Sequence, residues 1–181
     1  SLAPLNADPA ALAAALTAAA PLACLRIGPS RWIVGRGPFS ACAEPPPGEI
    51  AFYINDFALS DPTPWRVPAE AWETDQLPLD RAPDLQLEWR TPGRAGFETA
   101  FEEVKAGLRS GRWRKAVLAI AEKGRLVRGH TGAFAAKTLL HREAAVCWPA
   151  VWQDSDSGFA AVTPEVLFTL RHGTLSTMAL A

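Results

Sequence analysis

Residues 97–121 read FETAFEEVKAGLRSGRWRKAVLAIA, and the change of period inside this stretch decides the fold class. Phe97, Phe101, Val104 and Leu108 fall at helical spacing, with Glu98, Glu102, Glu103, Lys105 and Arg109 on the other faces and Gly111 as a stop. A few residues later both alternating faces of residues 115–121 are apolar, the pattern of a buried strand, with Lys115 on the face shared by Val117, Ala119 and Ala121. A helix followed at once by a buried strand makes this region mixed.

Outward from that block, Ala-rich residues 9–20 predict a first helix capped by Asp8 and ended by Pro21. Apolar runs at 23–27, 32–34 and 50–59, parted by Gly and Pro, predict antiparallel strands. Residues 60–96 read as a loop-rich crossing with one strand at 85–89. A second helix fits 133–140, and strands fit 144–152, 158–162, 166–171 and 174–180, the last two joined by His172-Gly173. The expectation is an α+β fold of antiparallel sheets with helices packed outside.

Composition sets the other bounds. With 49% apolar residues in 181, a packed core is expected rather than global disorder. A formal charge of −1 provides no overall field for nucleic acid or an anionic membrane, so an anionic ligand must be held locally. Cys24, Cys42 and Cys147 are odd in number and unclustered, which fits a reduced cytoplasmic protein without a zinc site. No apolar run reaches the ~18–20 residues that span a bilayer.

Two residues stand out chemically. A lysine beginning a buried strand either snorkels to water, the commoner outcome, or loses its charge and becomes a general base, which makes Lys115 a candidate. In Thr163-Pro164-Glu165 a partly buried carboxyl would hold its proton near neutrality and act as a general acid, whereas an exposed turn glutamate would not. Arg112, Arg114, Arg125 and Arg128 bias the Lys115 region toward positive charge.

Taken together, residues 97–119 and FAAVTPEVLFTLRHGTLSTMALA at 159–181 resemble the Lys-Val-Val-Leu-Ala block and the Ser-Pro-Glu-x-Leu segment of the chorismate-binding enzymes. The resemblance is to the isochorismate synthase type. It implies that fold, incomplete here, with residues 1–96 matched loosely, 97–181 carrying the motifs, and a carboxyl-terminal portion of the domain absent. It implies conversion of chorismate to isochorismate, Lys115 activating water and Glu165 protonating the leaving hydroxyl, in menaquinone or siderophore synthesis. Leu180 and Ala181 would wall the substrate pocket. Lysine at 115 favours the water-using branches over the amine-using ones, and alanine at 181 disfavours aminodeoxychorismate synthesis. The chain departs from the motif at Ala116 and Ile120.

The same resemblance implies Mg2+, with its ligands in the carboxyl-terminal part and none in this chain. It also implies completion by a complementary polypeptide or a continuation of the chain. The apolar run 174–181, an expected strand without a capping turn, points the same way, since an unpaired edge invites a partner. Salicylate synthase and a non-catalytic truncated homologue acting as a binding module are the alternatives.

Overall fold

The computed structural model describes residues 8–18, 21–79, 81, 84–90, 94–140, 147–154, 157–165 and 168–177. The first helix, α1 (Pro9–Thr17), starts where Asp8 Oδ1 accepts the Ala10 N–H at 3.0 Å and Pro9 takes the first turn, as the sequence predicts. Ala18 leaves it in an extended conformation. There follow β1 (Leu22–Gly28), β2 (Arg31–Cys42), the two-residue β3 (Phe52–Tyr53) and β4 (Trp65–Thr74). Next come β5 (Gln86–Arg90), α2 (Arg94–Arg109), β6 (Lys123–Arg128) and α3 (Thr131–Leu139). The series ends with β7 (Trp148–Gln153), β8 (Gly158–Thr163), β9 (Phe168–Arg171) and β10 (Thr174–Thr177). The fold is α+β and every strand pair is antiparallel.

The chain divides into two compact units, one within Ser1–Asp84 and His130–Ala181, the other Leu85–Gly129. In the first, six strands form a sheet in the order β3-β4-β2-β1-β7-β8. Register sets its two faces. Cys24 lies opposite both Val34 and Val151, and Val34 opposite Trp72, so these four share one face with Leu22 and Trp32. Leu12, Ala15 and Leu16 of α1 and Ala135 and Leu139 of α3 pack on that face, with Leu77, Leu79 and Ala160 at its margin. Full burial of side chains such as Leu12, Leu16 and Leu22 stabilises by about 1.5–3 kcal/mol each. On the opposite face Gly35 lets the Phe52 ring lie against the backbone, and Phe39 packs on Trp152 with ring centroids 4.7 Å apart. Leu25, Ile27 and Phe159 remain exposed.

Arg26 ties one end of this sheet together. Its guanidinium donates to the carbonyls of Gly28 at 3.0 Å, Cys147 at 3.1 Å, and Pro29, and stands 5.9 Å from each of the Trp32 and Trp148 ring centres. The β9–β10 hairpin turns through His172 and Gly173, at φ 50° and 77°, as their adjacent placement predicts. Leu170 and Leu175, directly opposite each other, are both about two-thirds exposed.

In Leu85–Gly129, β5 and β6, with α2 between them in sequence, form an antiparallel pair in which Trp89 lies over Gly124, and Glu88 meets Arg125 at 2.8 Å. The expected buried strand at 115–121 is not formed. Residues 115–122 lie outside any ladder, and Val117 and Ile120 are exposed. β5 pairs instead with the next segment, β6, where Glu88 faces Arg125 and the Trp89 ring lies on Gly124. The expected strand at 50–59 shrinks to Phe52–Tyr53, because Asn55, Asp56 and Asp61 fold residues 55–63 into a hydrogen-bonded loop. β4, inside the stretch read as a loop, holds Pro68 opposite Phe39, beside a register shift between Arg36 and Phe39. β3 reaches only Arg66 and Trp65, so at Pro68 the missing N–H breaks no ladder among the described residues.

Candidate functional site

Lys115 is placed by the end of α2. Gly111, at φ 72°, reverses the chain, and the Trp113 N–H donates back to the Gly107 carbonyl at 3.2 Å. The Trp113 ring folds onto Gly107, where a Cβ would stand 2.4 Å from it, and the Arg112 guanidinium lies 5.4 Å from the centre of that ring. Lys115 follows two residues later, exposed and outside any helix or strand. No strand forms there to desolvate it, and the amine-bearing residue stands in water, the commoner of the two outcomes. Among the described residues it has no hydrogen-bond or ion-pair partner.

Glu165 follows β8 directly. Its backbone N–H donates to Thr163 Oγ1 at 3.1 Å across Pro164, a side-chain turn that fixes the exit of the strand. The residue is exposed, the outcome of an open turn glutamate rather than of a partly buried carboxyl. The apolar residues meant to bury it begin at Val166 and Leu167, outside the described residues. Lys115 and Glu165 belong to different compact units. Leu180 and Ala181 lie outside the described residues.

Division into units extends the local basic bias already legible at Arg112, Arg114, Arg125 and Arg128. Leu85–Gly129 holds ten Lys and Arg against five Asp and Glu, which leaves eight and fourteen of the chain's 18 and 19 for the remainder. A near-neutral protein thus contains a basic unit and an acidic one. The densest part is Arg109, Arg112, Arg114 and Lys115, four exposed cations in seven residues with no carboxylate among them. Among the described residues none of the four has an ion-pair partner; by contrast Arg94, Lys105 and Arg125 are matched to Glu98, Glu102 and Glu88. Such a cluster raises the local concentration of a small anion and is screened over about 10 Å at 0.1 M salt.

Among the described residues no group of three or more His, Cys, Asp or Glu is placed to hold a metal ion. The described residues therefore offer no ready-made ligand set for the magnesium that the resemblance implies. His130, at the amino end of α3, is half-buried with its Nδ1 atom unpartnered, and His172 sits exposed in the β9–β10 turn. No helix is long and apolar enough to cross a membrane. The three cysteines are free thiols. Neither family models, nor curated proteins, nor solved structures gave a match to this chain.

Proposed function

We propose that this chain is the amino-terminal part of a chorismate-utilising enzyme of the isochorismate synthase type, working in the cytoplasm on chorismate with Mg2+. The observation that carries the reading is the unpaired cation cluster of residues 109–115, which places Lys115 among charges suited to a dicarboxylate. The order of elements agrees with the resemblance: a helix leading into the lysine segment, and a strand leading through Thr163-Pro164-Glu165 into a hairpin.

In the proposed reaction, neutral Lys115 takes a proton from water as the water oxygen bonds to ring carbon 2. The ring double bonds shift, the bond from ring carbon 4 to its hydroxyl breaks, and protonated Glu165 delivers the proton that lets the hydroxyl leave as water. One water enters and one leaves, so the product is an isomer. Both groups need a dry setting to hold the required protonation states. That setting must come from a complementary carboxyl-terminal part, whether a second polypeptide or a continuation of the chain, in which we also place the metal ligands. Leu180 and Ala181 would line the pocket beside it.

The test is turnover of chorismate with Mg2+ by this chain combined with its complementary part, followed by product chromatography. Isochorismate is the expected product. Salicylate with released pyruvate would shift the assignment to the salicylate synthase branch, and the absence of both products would overturn the catalytic reading. The exposure of Lys115 and Glu165 favours one other reading, a non-catalytic homologue that binds through its surfaces. Chorismate binding without turnover in the completed assembly would select it.

A further inference from the structure

Past the end of α2 the chain runs in the open. Across residues 109–129 every residue except Leu118 is exposed, and residues 115–122 join no ladder. In the middle of this segment residues 116–121 read AVLAIA, six apolar residues in a row. Val117 is 83% exposed and Ile120 53%, so the run is presented to solvent rather than tucked under a neighbour. Single apolar residues are ordinary on a surface, whereas an uncovered run of this length marks a contact for something apolar. Cations close the run on both sides. Residues 109–128 hold seven of them, Arg109, Arg112, Arg114 and Lys115 before the run and Lys123, Arg125 and Arg128 after it, against the single carboxylate of Glu122. Among the described residues the first four and Lys123 have no ion-pair partner. Arg90 moreover stands directly opposite Lys123 across the β5–β6 pair, two like charges that cost stability unless an anion lies near both.

We propose that residues 109–128 adsorb to an anionic lipid surface, the apolar run entering the headgroup layer while the cations on either side meet lipid phosphates and carboxylates. Such a surface satisfies both features at once. A nucleic acid would neutralise the cations and leave Val117 and Ile120 in water, whereas an apolar protein pocket would bury those two and leave the charges unmatched. The apolar run is far shorter than the roughly 20 residues that span a bilayer, so the segment lies along the surface. Its backbone, outside any ladder, must keep its polar groups hydrated, which also limits the depth. Trp113, exposed beside Arg112 just ahead of the run, carries the amphipathic ring that rests at headgroup level. A shallow apolar insertion and a basic patch each hold a protein weakly, and together they hold it reversibly. The chain outside Leu85–Gly129 carries fourteen carboxylates against eight cations, so the same surface repels it and contact is confined to this unit. Adsorption does not depend on chorismate chemistry, because the chain by itself presents the segment. A complementary part that enclosed Lys115 would compete with lipid for it.

Co-sedimentation of the full chain with lipid vesicles reads this directly. Vesicles of phosphatidylcholine are compared with vesicles in which about one-third of the lipid is phosphatidylserine, at ~0.1 M salt. Binding to the mixed vesicles alone is expected, and it is expected to weaken steeply as salt rises toward ~1 M. Arg112→Ala combined with Arg114→Ala is expected to weaken it about 25-fold, or about fivefold for each cation removed. Val117→Ser combined with Ile120→Ser keeps every charge and is expected to weaken it at least ~10-fold through lost insertion. All four side chains belong to exposed residues, so circular dichroism is expected to show unchanged folds. A wild type that ignores the mixed vesicles overturns the proposal, whether or not its cations capture a single-stranded oligonucleotide instead. So does binding indifferent to the serine pair, which would be adsorption by charge alone.

Discussion

Gly132 of α3 lies under the carbonyl of Ala18, so close that a Cβ at 132 would stand 2.1 Å from that oxygen. The contact sets how nearly α1 and α3 approach above the sheet. Gly132→Ala pushes backbone against backbone, which cannot relax by a side-chain rotation. It is expected to destabilise by about 1–3 kcal/mol, lowering Tm by about 3–9 °C. Gly96→Ala in α2 is the control, since its Cβ meets nothing within 4 Å, and it is expected to raise helix stability slightly in the same calorimetric scan.

Cys24 is fully buried between β2 and β7, and burial pushes its thiol well above the ordinary value of 9.0. Cys42 and Cys147 are partly accessible. Native labelling with a thiol reagent at mildly alkaline pH is expected to modify Cys42 and Cys147 and to spare Cys24 until the protein unfolds. Prompt modification of all three, resolved by peptide mass, would contradict the packing of this sheet.

The loop at 55–63 is held by carboxylates. The Ser60 hydroxyl, and then its N–H, hold Asp56 below the usual 3.8, and the Thr63 N–H followed by Arg66 do the same for Asp61. A lowered folded pKa adds stability above the unfolded value that is lost as pH falls through the folded one. Asp61→Asn is therefore expected to be less stable than wild type at pH 7, with the difference vanishing as pH drops below 3.8. Paired thermal melts across that range measure it, and a gap that widened on acidification would reverse the sign claimed.

Lys115 and Glu165 are exposed, so Lys115→Ala and Glu165→Gln are each expected to change folding stability by less than about 0.5 kcal/mol. In the completed assembly each is nevertheless expected to cut chorismate turnover by at least ~10²-fold. Intact turnover in either variant would remove that residue from the proposed chemistry.

The elements that the sequence made legible are those whose own residues carry the signal. Asp8 and Pro9 mark the start of α1, the Phe97–Leu108 stripe marks α2, and His172-Gly173 marks a hairpin whose turn requires positive φ. The misses share a cause, which is that strand pairing is a relation between distant segments. β4 looked like loop because Pro68 and Glu70 suit loops, yet Pro68 sits where no third strand needs its N–H, and Glu70 meets Arg36 directly opposite at 2.8 Å. Residues 115–121 looked buried because they are apolar, yet β5 pairs with residues 123–128 further on and leaves them outside any ladder. The same limit applies to the candidate site. Lys115 and Glu165 were visible as residue types, but their surroundings depend on contacts that local pattern does not encode.

The place of β1 in the sheet also governs how the chain must be born. β1 lies between β2, its neighbour in sequence, and β7, and the Arg26 bond to the Cys147 carbonyl spans 121 positions. All of Leu85–Gly129 is synthesised between these two partners. At about 5–20 residues per second, the outer edge of β1 waits roughly 6–24 s on the ribosome for β7 to emerge. Until then Leu22 and Cys24 lack their cover and the edge is open to any passing strand. Fragments ending before Trp148 leave that edge of β1 unpaired and are expected to aggregate more readily than the full chain.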